Sequence, residues 1–135
     1  LLALRRQVDA ALTRLSGERV FEQFQQRLGG QWRVAMIVSL CESAFGVAPG
    51  SILNHRRPDA LVQARHAAMW LARQFTSEST TTIGAMLGQR DHSTVLYGVK
   101  SCHERMEAYP AYKATVLELA EAAQKMFEEG KEVQA

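Results

Sequence analysis

Gly88-Gln89-Arg90-Asp91-His92-Ser93-Thr94-Val95-Leu96-Tyr97 reads as a tight turn followed by the start of a helix. Asp91 is placed to cap that helix, its carboxylate accepting free N–H groups of the first turn. His92, Ser93 and Thr94 follow on the first turn, where the side chains of a recognition helix meet base edges. Val95, Leu96 and Val99 offer the same helix a buried face. A packed root with a polar tip is the pattern of a DNA-reading helix.

The flanking sequence supports that reading. Upstream, Thr80 to Leu87 reads as a short helix with Ile83, Met86 and Leu87 inward, and Gly84 permits a close crossing. Gly88 makes the turn, and the next helix runs from Asp91 to about Met106. A short helix, a glycine-containing turn and a longer helix with a polar start form the helix-turn-helix pattern. Before it, Ala60 to Phe75 carries Leu61, Ala64, Ala68, Met69, Leu71, Ala72 and Phe75 at helical spacing, with Arg65 and Arg73 pointing elsewhere. Thr76-Ser77-Glu78-Ser79 breaks this helix.

Trp32 to Phe45 is a further helix with Val34, Ile37, Val38, Cys41 and Phe45 inward, and Gly46 suits its C′ position. Val47 to Gly50 forms a bend and Ser51-Ile52-Leu53 a short helical turn. Asn54-His55-Arg56-Arg57-Pro58-Asp59 is a polar, basic loop, in which Pro58 disfavours helix at Arg57 and suits the turn that follows. Downstream of Pro110, Ala111 to Glu129 forms a last amphipathic helix with Tyr112, Val116, Leu119, Ala123 and Phe127 on its stripe. At the other end, Leu1 to Leu15 and Glu18 to Leu28 form two amphipathic segments separated by Ser16-Gly17. The expected fold is all-α: a compact helical domain with a helix-turn-helix, two N-terminal helical segments and a C-terminal amphipathic helix. The expected divisions are 1–30 as an N-terminal extension, 31–106 as the DNA-binding domain and 107–135 as a helix packed on it.

The 135 residues are enough for one core, and nearly half of them are hydrophobic. A net charge of +2 does not by itself argue for nucleic acid, but its distribution is informative. Residues 51–105 hold seven Lys/Arg against four Asp/Glu and all four histidines, whereas 106–135 hold three lysines against six glutamates. A phosphate-facing surface is therefore expected in the middle of the chain. Cys41 and Cys102 lack partners at metal-ligand spacing and read as reduced thiols. Cys102 and His103 diverge by about 100° as helix neighbours, a poor geometry for a nucleophilic pair. No Gly-x-x-x-x-Gly-Lys-Ser/Thr loop occurs to cradle nucleotide phosphates. No enzyme activity, catalytic residue, metal, cofactor, nucleotide or membrane partner is expected. In Leu1-Leu2-Ala3-Leu4-Arg5-Arg6 the arginines follow the leucines, the wrong order for a secretory signal, so a cytoplasmic, nucleoid-associated protein is expected.

Arg90-Asp91-His92-Ser93-Thr94-Val95-Leu96 resembles the C-terminal DNA-binding domain of DnaA, the bacterial replication initiator. The resemblance continues upstream through Arg65-His66-Ala67-Ala68-Met69-Trp70-Leu71-Ala72-Arg73, Thr76, Ser79, Ile83-Gly84 and Leu87-Gly88, from about Val34 to Arg105. It implies an all-helical module that binds double-stranded DNA, with Asp91, His92, Ser93 and Thr94 at base edges in the major groove. It also implies basic roles for Arg65 and Arg90, a minor-groove loop containing Arg56 and Arg57, and a polar flank that includes His66. Two positions depart from the family: Asp59 stands where a minor-groove arginine is expected, and His66 replaces a polar amide. The ATPase motif is missing, so the expectation is a stand-alone relative of the domain or a piece of a longer protein.

Two functions follow as expectations. The first is duplex binding that regulates replication initiation or transcription. The second is an adaptor of the replication machinery with weak or vestigial DNA binding, in which the leucine-bearing N-terminal helix or the acidic last helix would hold a replication or transcription protein.

Overall fold

A computed structural model describes the backbone of residues 30–134 and the side chains of residues 30–128. The two N-terminal amphipathic segments read from the sequence lie outside the described residues. Within them the order is α1 (Gln31–Ala44), a 3-10 turn (Ser51–Leu53), α2 (Asp59–Phe75), α3 (Thr80–Met86), α4 (His92–Ala108) and α5 (Pro110–Gln134). Every regular element among the described residues is helical, as the sequence predicts.

α1 is buried more completely than a single stripe implies. Trp32, Met36 and Leu40 join Val34, Ile37, Val38 and Cys41 in the core. The helix ends in a Schellman arrangement, in which the Gly46 N–H donates to the Ser43 carbonyl (3.2 Å) and the Val47 N–H to the Glu42 carbonyl (3.0 Å). The carboxylate of Glu42 is buried and accepts the Ile52 N–H at 3.2 Å, tying the end of α1 to the 3-10 turn. An unmet N–H and an unpartnered carboxylate would each be costly there, and they satisfy one another.

α2 is the hub of the packing, touching α1, the 3-10 turn, α3, α4 and α5. Pro58 precedes it in extended conformation, and Asp59 in its first turn and Arg73 in its last complement the helix dipole. Ala64, Ala67, Ala68 and Ala72 are fully buried, and their small side chains let neighbouring helices approach. At the crossing with α4 the partner surface is Gly98, where an added Cβ would strike the Met69 sulfur.

α5 closes the opposite side. Tyr112, Val116, Leu119, Ala123 and Phe127 are buried as their stripe predicts, together with Met126. Trp32 and Phe127 meet edge to face at 5.5 Å, joining α1 to α5. The Tyr112 hydroxyl reaches into α2 and donates to the Gln63 carbonyl at 2.9 Å. Cys41 and Cys102 are free and buried. No helix among the described residues is long and apolar enough to cross a membrane.

Candidate nucleic-acid interface

The two helices of the predicted helix-turn-helix are both capped by side chains. The Ser79 hydroxyl accepts the Thr82 N–H at 3.1 Å to start α3, and Asp91 Oδ1 accepts the Thr94 N–H at 2.8 Å to start α4. Between them the chain turns through Gly88 (φ +89°) and Gln89 (φ +58°), and the Arg90 N–H returns to the Gly84 carbonyl at 2.8 Å. Glycine is required at 88 twice over, because a Cβ there would also strike the Leu53 carbonyl. The turn is thus packed against the 3-10 turn preceding the basic loop. Gly84 is buried beneath the Arg90 carbonyl and close to the Val95 side chain, so the close crossing read at this position brings α3 against both the turn and α4.

The start of α4 and its cap leave Asp91, His92, Ser93 and Thr94 exposed. The Thr94 N–H and hydroxyl hold the Asp91 carboxyl below its ordinary pKa, so the cap stays ionised. The buried face of α4 differs from the sequence reading. Val95, Gly98, Cys102 and Met106 are buried, Val99 is half-buried, and Leu96 is 43% exposed. Leu96 is turned about 100° from Val95, which places it beside the exposed His92 and Ser93 rather than beneath them.

The basic loop is held by two arginines. From α2, Arg65 donates through Nε to the Ile52 carbonyl (2.9 Å), and through its terminal nitrogens to the carbonyls of Asn54 (2.9 Å) and Arg56 (3.3 Å). From the turn, Arg90 donates to the same Asn54 carbonyl at 2.7 Å and to the Leu87 carbonyl. The sequence placed Arg65 away from the apolar face, whereas the structure buries it, leaving 6% exposed. The physical reason lies in the loop, whose carbonyls have no helix or sheet partners. A guanidinium presents five N–H donors in a fixed planar fork, enough to serve three of them at once. Burial, with Arg90 and Arg57 nearby, lowers the Arg65 pKa to about 10, so it remains charged at neutral pH. Asn54 Oδ1 accepts the Arg56 N–H at 2.9 Å, tightening the loop further. His55, Arg56, Arg57 and Asp59 are exposed.

An open groove of about 650 Å³ runs between this loop, α2 and α4. It brings together Arg57, Arg65, His66, Arg90, Asp91 and Thr94 from the sequence-predicted set, whereas Arg56, His92 and Ser93 stand outside its lining. Four arginines line it, counting Arg105, against the single carboxylate of Asp91. His66 sits half-buried in the wall. Its ring meets Tyr97 edge-on at 6.0 Å, and its Nδ1 lies 3.4 Å from an Arg105 guanidinium nitrogen. Burial, then Arg105 and Arg65, lower the His66 pKa to about 4, so the ring is neutral near pH 7.

The sequence reading did not single out His55, Gln89, Tyr97, Ser101 or Arg105 as lining this groove. For three of them a signal was available. Thr94, Tyr97, Ser101 and Arg105 recur at three- and four-residue spacing, forming one continuous face of α4 along the groove. Among the described residues no group of His, Cys, Asp or Glu is arranged to hold a metal ion.

Residues 34–102, about half of the chain, match the family model of the bacterial dnaA protein helix-turn-helix. The chain belongs to that family. The DnaA match covers most of α1, all of α2 and α3, the turn and the first part of α4. Among curated relatives, the chromosomal replication initiator protein DnaA of Nautilia profundicola is 35% identical over 83 residues, covering 62% of this chain and 19% of that protein. The DnaA of Caulobacter vibrioides (strain NA1000) is 43% identical over 67 residues, covering 50% of this chain and 13% of that protein. The DnaA of Caulobacter sp. (strain K31) is 36% identical over 120 aligned residues, covering 78% of this chain and 24% of that protein. The chain therefore spans a quarter or less of the length of these relatives. The part shared with these replication initiators is their helix-turn-helix segment.

Proposed function

We propose that this protein binds double-stranded DNA by placing the first turn of α4 in the major groove, and that it regulates replication initiation or transcription by occupying its site. The observation that carries the reading is the coupling of two surfaces. The capped, solvent-facing tip Asp91-His92-Ser93-Thr94 stands beside a basic loop that Arg65 and Arg90 hold through one shared carbonyl. A reader tip and a phosphate arm at fixed separation are what a duplex demands.

In this reading His92, Ser93 and Thr94 address base edges. The Thr94 methyl can pack on a thymine methyl, and the hydroxyls serve bases or phosphate. Asp91 caps the helix and is able to accept from a cytosine amine. Arg56 and Arg57 reach the backbone or the adjacent minor groove, Arg65 and Arg90 set the position of that loop, and His66 lies in the groove wall. The family relationship to the initiator supports a role at replication origins or at promoters, and no catalytic step is part of the reading.

Selection of bound duplexes from a random pool, followed by binding across a salt series, tests it. A recovered consensus and an affinity that falls steeply with salt are expected. Absence of binding to any duplex at low salt overturns the proposal and leaves an adaptor role as its successor.

A further inference from the structure

Of the arginines that the family resemblance marks, Arg56 and Arg57 lie in the exposed loop, and Arg65 and Arg90 have their guanidinium groups engaged with loop carbonyls. A groove meant for a polyanion needs a cation whose charge remains available, and the α4 wall holds one. Arg105 lines the groove, half-buried, and no carboxylate among the described residues lies within ion-pair distance of it. Its guanidinium rests on the Tyr112 ring, 5.2 Å from the centroid, and approaches His66 Nδ1 at 3.4 Å. These contacts fix the direction of the side chain while leaving its charge uncompensated.

Resting on the duplex-binding reading above, we propose that Arg105 and His66 form a phosphate-holding subsite of the protein, three turns along the recognition helix from its reading tip. Eleven residues separate Thr94 from Arg105, about 16 Å along the helix axis. A major groove is about 12 Å wide, so with the tip among base edges, Arg105 stands over the sugar–phosphate wall rather than over a base. An arginine always donates, so His66 Nδ1 accepts and the ring proton sits on Nε2. The subsite then offers one guanidinium and one neutral N–H. The neutrality of His66 follows first from its burial and then from Arg105 and Arg65 on the α4 and α2 sides, while Tyr97 packs at the ring edge. A phosphate entering between them removes that electrostatic crowding.

The experiment is a salt series on a selected duplex and on an unrelated duplex, with the wild type, Arg105→Met, Arg105→Lys and Arg73→Gln. Met keeps an unbranched stem against Tyr112 and removes the charge, Lys keeps the charge, and Arg73 lies exposed at the far end of α2. Expected for Arg105→Met is a salt slope smaller by about one and roughly tenfold weaker binding on both duplexes alike. Arg105→Lys restores the slope, and Arg73→Gln matches the wild type. An unchanged slope in Arg105→Met overturns the inference while leaving duplex binding intact. A wild type that binds no duplex at low salt overturns the functional reading and this inference with it. In the wild-type protein the His66 ring resonances must also move when duplex is added, and stationary resonances overturn the subsite without recourse to any variant.

Discussion

Replacing Arg65 by Met separates a loop anchor from a DNA ligand. Met fills a similar volume on α2 and removes the fork that serves the carbonyls of Ile52, Asn54 and Arg56. These three acceptors do not lose equally. The Asn54 carbonyl keeps its 2.7 Å bond from Arg90, and the Arg56 carbonyl sits in an exposed stretch where water can replace the guanidinium. Ile52 is fully buried, and its carbonyl loses its only hydrogen bond given by a side chain among the described residues. A buried acceptor left unmet costs about 1–3 kcal/mol, and a hydrogen bond to a charged group contributes about 1.5–3 kcal/mol. Relief of the partly desolvated cation offsets some of this. The expected loss is therefore about 2 kcal/mol, or a fall in Tm of roughly 8–12 °C for a fold of this size. Thermal unfolding by circular dichroism reads the loss, and amide exchange across residues 52–57 should accelerate before that of the core. DNA binding should fall through a displaced loop, so that adding Arg57→Ala to Arg65→Met costs less than Arg57→Ala alone. The reasoning is refuted if Arg65→Met melts within about 2 °C of the wild type and the two substitutions add independently, because Arg65 would then be a plain phosphate contact.

Other expectations follow from the same geometry. Gly88→Ala forces a side chain into the left-handed region and against the Leu53 carbonyl, and should cost more than about 1 kcal/mol in denaturant unfolding. Ile83→Ala empties a fully buried site beneath the helix-turn-helix and should cost about 2–5 kcal/mol, with a lowered denaturant midpoint and an unchanged slope. His92→Ala or Thr94→Ala should leave the fold intact and relax base discrimination by about 1–3 kcal/mol in competition binding. His66, with its folded pKa lowered to about 4 from 6.5, binds its proton more readily when unfolded. Its contribution is therefore fully present above pH 6.5 and is lost as the pH falls toward 4. His66→Gln should flatten stability against pH in that window, and an unaltered profile would show that the ring does not govern it.

Much of this architecture is legible from local chemistry. Ser79, Gly88 and Asp91 act within a few residues of themselves, and capping and turn rules locate them without tertiary information. The stripe on α5 is similarly readable, since every third or fourth apolar residue is buried against one surface. The failures occur where a distant partner decides. Arg65 lies on the same face as Leu61, Ala68 and Met69, but its charge argues for solvent until the carbonyls at 52, 54 and 56 are seen to converge on it. Leu96 argues for the core by composition, yet Val95, Gly98, Cys102 and Met106 already fill the buried side of α4. Arg105 looks like an ordinary last-turn cation, and its place in the groove depends on Tyr112 arriving from the next helix. α1 shows a stripe through Val34, Ile37, Val38 and Cys41, but Trp32, Met36 and Leu40 are buried as well because neighbours cover the helix nearly all round.

The Asn54 carbonyl that receives both Arg65 and Arg90 belongs to the main chain, which every residue type supplies. Exchange of side chains at 55, 56 and 57 leaves that junction untouched, whereas insertion or deletion of one residue shifts the oxygen out of reach of both donors. The loop is thus tolerant of new lettering and intolerant of new length. Under the proposed duplex binding, its preference among DNA sequences is open to change one side chain at a time, while the spacing between the loop and the start of α4 stays fixed.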